Sequence, residues 1–129
     1  MIEKVAWIRL ENGRVLAARS RGKDAYYLPG GKPEPGESAH EALIREIREE
    51  LGVDLLPETI APAFTVRAPA HGAPAGTEVR MTCFTADHSG TPAPRGEIAE
   101  VAWLSPADRA RTSRATRAAL DRIWPHGEE

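Results

Sequence analysis

The stretch GKPEPGESAHEALIREIREELGV, residues 31–53, reads as a loop, a helix and a stop. Ser38 and Glu41 have the spacing of a capping box, in which each side chain takes up a backbone N–H that the start of a helix leaves unpaired. Gly52, directly after Leu51, supplies a residue able to adopt the left-handed conformation that closes many helices. Between these marks Ala39, Leu43, Ile47 and Leu51 recur every four residues as an apolar stripe. The other faces are charged. Glu46 shares a face with Glu49 and Glu50, and like charges at that spacing cost roughly 0.2 to 0.5 kcal/mol per pair. Two readings account for the crowding. One is a solvated face, with Glu41–Arg45 and Arg45–Glu49 as ordinary pairs of opposite sign. The other is a hard divalent cation: Mg²⁺ takes oxygen ligands, keeps several waters and is commonly shared between a few carboxylates and a substrate's phosphates.

Working outward, the 129 residues fit one domain with a single core, spanning 1–129. Seventeen basic residues against nineteen acidic ones leave a formal charge of −2. That balance argues against bulk electrostatic binding of nucleic acid or a membrane surface, so an anionic ligand must be held locally. Cys83 is the single cysteine, which rules out an internal disulfide and fits a reducing compartment. The opening residues are broken by Glu3, Lys4, Arg9 and Glu11 before a secretory apolar run develops, and no later run approaches membrane-spanning length. A cytoplasmic protein is the expectation.

Upstream of the helix, VAWIRL, ENGR and VLAARS predict a hairpin over about 2–19, turning at Asn12-Gly13. RGKDAYYLPGGKPEPGE is punctuated by Gly and Pro as an ordered loop. Downstream, residues 58–67, 78–86 and 97–104 have β character, separated by Gly/Pro-rich loops at 68–76 and 88–96. Ser105 with Pro106 offers a helix start, and residues 113–124 place Ala119, Leu120, Ile123 and Trp124 on one apolar face. Strands mixed with helices make the fold class α/β.

The string 31–53 also matches a family pattern at every fixed position: Gly31, five residues, Glu37, seven residues, then Arg45, Glu46, Ile47, Arg48, Glu49, Glu50, Leu51, Gly52 and Val53. With this complete Nudix box, the chain resembles a Nudix hydrolase, and the resemblance continues through the preceding LPG and the later EIAEVAWL. It implies a mixed β-sheet sandwiched between α-helices, with the box as loop, helix, loop. It further implies Mg²⁺-dependent hydrolysis, with Mn²⁺ as a substitute, of a nucleoside diphosphate linked to another group X. A housecleaning nucleoside triphosphate pyrophosphohydrolase is the leading expectation. The alternative is a non-catalytic Nudix domain that senses a nucleotide, and retention of every box glutamate weighs against it. The resemblance also allows a homodimer.

Carried onto this chain, the resemblance makes Glu49 and Glu50 the central metal ligands and Glu46 a ligand or the base. Gly30 would add a backbone carbonyl, and Glu97 a further ligand or base. Glu37 would reach the metal shell or tie the loop to the helix, while Arg45 would hold a box glutamate in place. Arg19, Gly31 and Lys32 are candidates for substrate contact. Tyr26 and Tyr27 are read as packing ahead of base stacking, Trp7 and Trp103 as core, and Cys83 as a buried small hydrophobe. His40 and His71 have no metal-ligand partner at suggestive spacing.

Overall fold

The computed structural model describes residues 1–70 and 72–125. Its strands are β1 (Ile2–Trp7), β2 (Leu10–Glu11), β3 (Arg14–Ser20), β4 (Gly30–Gly31), β5 (Asp54–Leu55), β6 (Ala61–Pro69), β7 (Glu78–Thr85), β8 (His88–Ser89) and β9 (Ile98–Leu104). Two α-helices, α1 (Ala39–Leu51) and α2 (Arg114–Ile123), complete it with short 3-10 turns at Pro57–Thr59 and Pro106–Arg111. One sheet runs β4-β1-β7-β6, with β1 parallel to β7 and antiparallel to β4, and a second runs β2-β3-β9. β5 and β8 form a small third pair.

The strands form a layer between the helices, because alternate residues divide between two apolar clusters. On β1, Ala6 and Ile8 beyond its end join a cluster with Leu120 of α2, whereas Val5 and Trp7 join one with Leu43, Ile47 and Leu51 of α1. β3 divides likewise, Val15 and Ala17 going one way and Leu16 the other. This is the period-two logic of a strand covered on both faces. Trp7 is fully buried and its indole N–H is satisfied by the Ala86 carbonyl at 3.2 Å, while Trp103 is partly buried against the α1 cluster.

The predicted hairpin is corrected in part. Asn12 and Gly13 do turn the chain with positive φ (54° and 75°), but only the two-residue β2 pairs with β3 across them. β1 leaves the hairpin for the other sheet, pairing with β7 over six residues. The local turn signal fixed the bend and could not report a partner nearly eighty residues away. β6 likewise begins later than read, after the 3-10 turn at 57–59, and runs through Pro69. Ser105 caps the 3-10 turn at 106–111 with Asp108, and α2 starts on its own cap, Ser113. On α1 the capping box and the Gly52 stop (φ 70°) are both present. Its buried stripe is Ala42, Leu43, Ile47 and Leu51, with Ala39 only partly covered.

Candidate active site

α1 turns its charged face away from the core and toward two adjoining cavities. The larger, about 510 Å³, is walled by Lys4, Lys23, Tyr27, Gly31, Lys32, Glu46, Glu50 and Met81, with the start of α2 among its other boundaries. The smaller, about 410 Å³, brings Glu46, Glu49, Glu50 and Glu97 onto one lining. Four of the sequence-predicted metal residues therefore share a wall. Glu97 is placed there by its loop, since the Ala93 and Arg95 N–H groups donate to the Leu51 and Glu50 carbonyls at 3.1 and 3.0 Å. The last turn of a helix leaves such carbonyls without partners of their own, so the end of α1 docks the segment that carries Glu97.

The glycine pair of β4 lies against the carboxylates. A Cβ on Gly30 would sit 2.0 Å from the Val5 carbonyl oxygen, and one on Gly31 would meet the Glu46 carboxyl carbon at 2.5 Å. Gly30 demands bare backbone for strand pairing, whereas a Cβ at Gly31 would press only on the flexible end of the Glu46 side chain. The Gly30 N–H also donates to Glu50 Oε1 at 3.2 Å. Arg45 gathers what surrounds it: its guanidinium donates to Glu37 at 2.8 and 3.0 Å, to Glu46 at 3.1 Å, to Glu49 at 3.2 Å and to the Lys32 carbonyl at 3.2 Å. Glu37 ties loop to helix, also accepting from the Glu34 N–H, and these contacts hold its carboxyl below the usual range, Arg45 contributing most.

The three glutamates differ in solvation. Glu46 is 17% exposed and Glu49 60%. Glu46 and Glu50 line both cavities together. Burial, then repulsion from Glu46, pushes Glu50 up to about 8 despite the Gly30 N–H, and burial also raises Glu46 against the opposing pull of Arg45. Two carboxyls that cannot both ionise without compensation are a standing demand for a cation. Among the described residues no three acidic, His or Cys side chains already converge as a ready ligand group. Glu46 and Glu50 converge, and Glu49 on the same wall is turned to Arg45. This all-oxygen donor set fits a hard divalent ion.

Arg19 is not brought into either cavity lining; it is held by Glu100 at 3.3 Å and by the Lys23 carbonyl at 3.0 Å. Lys32 and Gly31 are in the larger cavity. Tyr26 is buried, with Arg111 stacked over its ring, while Tyr27 lines both cavities and hydrogen-bonds Ser20. Cys83 is buried and burial pushes its thiol up to about 12, as suits an inert filler. His40 packs edge-on against Phe84, and His71 lies outside the described residues. Lys4 and Lys23, both on the lining of the larger cavity, were not among the expected site residues. Lys23 sits in a loop with no period to betray it, but Lys4 carries a signal: it falls where Ile2, Ala6 and Ile8 set an apolar face.

Comparison with known proteins follows the same lines. A family model described as the NUDIX domain matches residues 4–122. The CTP pyrophosphohydrolase of Escherichia coli (strain K12) is 43% identical over 58 residues, 42% of this chain and 43% of that protein. The chain thus covers less than half the length of that curated relative, and still smaller shares of the next ones. The E. coli dihydroneopterin triphosphate pyrophosphohydrolase superposes with a TM-score of 0.75 at 25% identity, over 94% of this chain and 93% of that one. A MutT NUDIX hydrolase from Burkholderia pseudomallei shares the fold, with a TM-score of 0.79 at 24% identity over 95% and 97% of the two chains. Loop, helix and loop in one place, a mixed sheet between two helices and a family match across nearly the whole chain agree: this chain belongs to the Nudix family.

Proposed function

We propose that this chain is a hydrolase of phosphoanhydrides, cleaving a nucleoside diphosphate linked to X into a nucleoside monophosphate and phosphorylated X. The observation that carries this reading is the Glu46–Glu50 pair, partly desolvated and mutually close, opening onto a cavity lined by three lysines. Carboxylates are suited to a cation and lysines to phosphate, and a diphosphate bridge needs both. Glu46, Glu49 and Glu50, with Glu97 and the Gly30 backbone, are the groups that would hold Mg²⁺ or Mn²⁺. The cation, when bound, neutralises the diphosphate oxygens. Glu46 is the proposed base: it takes one proton from the water whose oxygen attacks phosphorus as the anhydride P–O bond breaks. Arg45 keeps Glu46 and Glu49 oriented through its contacts with both.

A nucleoside triphosphate or related nucleotide is the proposed substrate class. Two relatives whose names specify pyrophosphohydrolase action on CTP and on dihydroneopterin triphosphate support it. The deciding experiment is a broad panel of nucleotides incubated with and without Mg²⁺, with products identified by mass. Metal-dependent release of a nucleoside monophosphate with pyrophosphate or phosphorylated X is expected. Tight nucleotide binding without turnover across the panel would replace this reading with that of a sensor.

A further inference from the structure

Lys4 is out of place on its strand. β1 lies in the interior of its sheet between β4 and β7, and the face on which Lys4 stands carries Ile2, Ala6 and Ile8 into the cluster under α2. Its side chain is partly buried at the cavity wall, and among the described residues it makes no hydrogen bond or ion pair. Burial lowers its pKa, and the neighbouring charge of Lys32 lowers it further, while Glu50 and Glu46 act the other way. A cation withdrawn from water without a partner is costly, and an apolar residue here would extend the stripe at no such cost.

The strand order states what lies on either side. Toward β4, the register Val5↔Gly31 puts the glycine pair and its carboxylates next to Lys4; toward β7, Lys4 is directly opposite Met81. Met81 gives the cavity an apolar wall on the β7 side, able to take a nucleoside, whereas Glu46 and Glu50 mark the reacting end on the β4 side. A substrate spanning the two must cross Lys4 with whatever joins them, which is phosphate.

We propose that Lys4 is a specificity-determining residue whose ammonium holds the phosphoryl group that stays with the nucleoside. This rests on the hydrolase reading for its physiological sense, but its test does not require turnover. Nucleoside 5′-monophosphates (AMP, CMP, GMP and UMP) and the matching nucleosides are titrated into the metal-free protein by calorimetry, using wild type, K4M and K4R. At least one monophosphate is expected to bind wild type and to bind K4M about tenfold or more weakly, the scale of one charged hydrogen bond. K4R should recover part of that loss, and nucleoside affinity should stay within about twofold. K4M should melt no lower than wild type, which a merely structural lysine would not allow. Unchanged monophosphate binding by K4M, equal loss for nucleoside and monophosphate, or no monophosphate bound by wild type would each overturn the proposal. Failure of the turnover panel with Lys4-dependent monophosphate binding intact would sink only the hydrolase reading.

Discussion

The two helices carry similar densities of charge and put them to different use. α2, RATRAALDRI, keeps its charged residues in solvent: Asp121, 61% exposed, pairs with Arg109 at 2.8 Å, and Arg122 stacks over Phe64. On α1 Glu46, Glu49 and Glu50 line cavities, and Glu50 is driven up to about 8. Crowded charge is therefore not what separates a site from a surface. Desolvation is, because a repulsion that water would screen to a few tenths of a kcal/mol becomes a strong demand for a ligand once water is withdrawn.

The sharpest way to break this contrast is to neutralise one acid on each helix. Glu50→Gln should cut metal-dependent turnover by at least about tenfold, whereas Asp121→Asn should leave turnover unchanged and shift stability by no more than about 0.5 kcal/mol. Equal losses in the two variants would show that burial does not distinguish the helices. Next in size is the glycine pair. Gly31→Ala sets a methyl against the Glu46 carboxylate, a flexible side-chain end, so roughly tenfold of activity should be lost with little change in melting temperature. Gly30→Ala meets the Val5 backbone instead and should cost stability outright, about 1–3 kcal/mol in thermal or urea unfolding. Matching stability losses in both would mean that Gly31 serves the fold rather than Glu46.

A third test uses pH. Glu50 is raised in the folded chain from the ordinary carboxylate range to about 8, so the folded state binds more protons than the unfolded one across that interval. Its contribution to stability is fully present below the ordinary carboxylate pKa and is lost as pH rises through about 8. Glu46 is raised and acts in the same sense; Glu37, Glu100 and Asp108 have depressed values and act in the opposite sense only at lower pH, and His88, lowered by burial, offsets part of the slope below about pH 6.5. Metal-free protein should therefore lose melting temperature between about pH 5 and pH 8, and Glu50→Gln or added Mg²⁺ should flatten that slope. The smallest effect is expected from Arg48→Ala. Its partner Asp54 and Arg48 itself are both more than half exposed, and stability should move by less than about 1 kcal/mol with activity retained.

What could be read from the chain alone follows from how far each signal reaches. Caps, stop and stripe of α1 lie within fifteen residues, so Ser38, Glu41, Leu43, Ile47 and Gly52 fixed that helix before any tertiary contact was known. Helical spacing alone grouped Glu46, Glu49 and Glu50 on one face, whereas Glu97 was legible only through the family resemblance, since it is remote in sequence and its loop docks on α1. β1 was misread because its partner β7 is distant and parallel, and no turn residue announces a parallel pairing. Arg19 stands at the end of β3 as foreseen, yet Glu100 on the adjacent β9 holds it, a pairing decided by sheet register. Lys4 was legible in principle: a single charge breaking the Ile2, Ala6, Ile8 alternation is visible in the sequence once the face it interrupts is known to be covered.

The docking of residues 93 and 95 on the last carbonyls of α1 has an architectural consequence. The chain departs from Gly52, builds four strands and comes back to the point of departure, so the intervening excursion is fastened at both ends to one helical turn. The last turn of α1 is thereby a common anchor for the segment that leaves it and the segment that returns with Glu97.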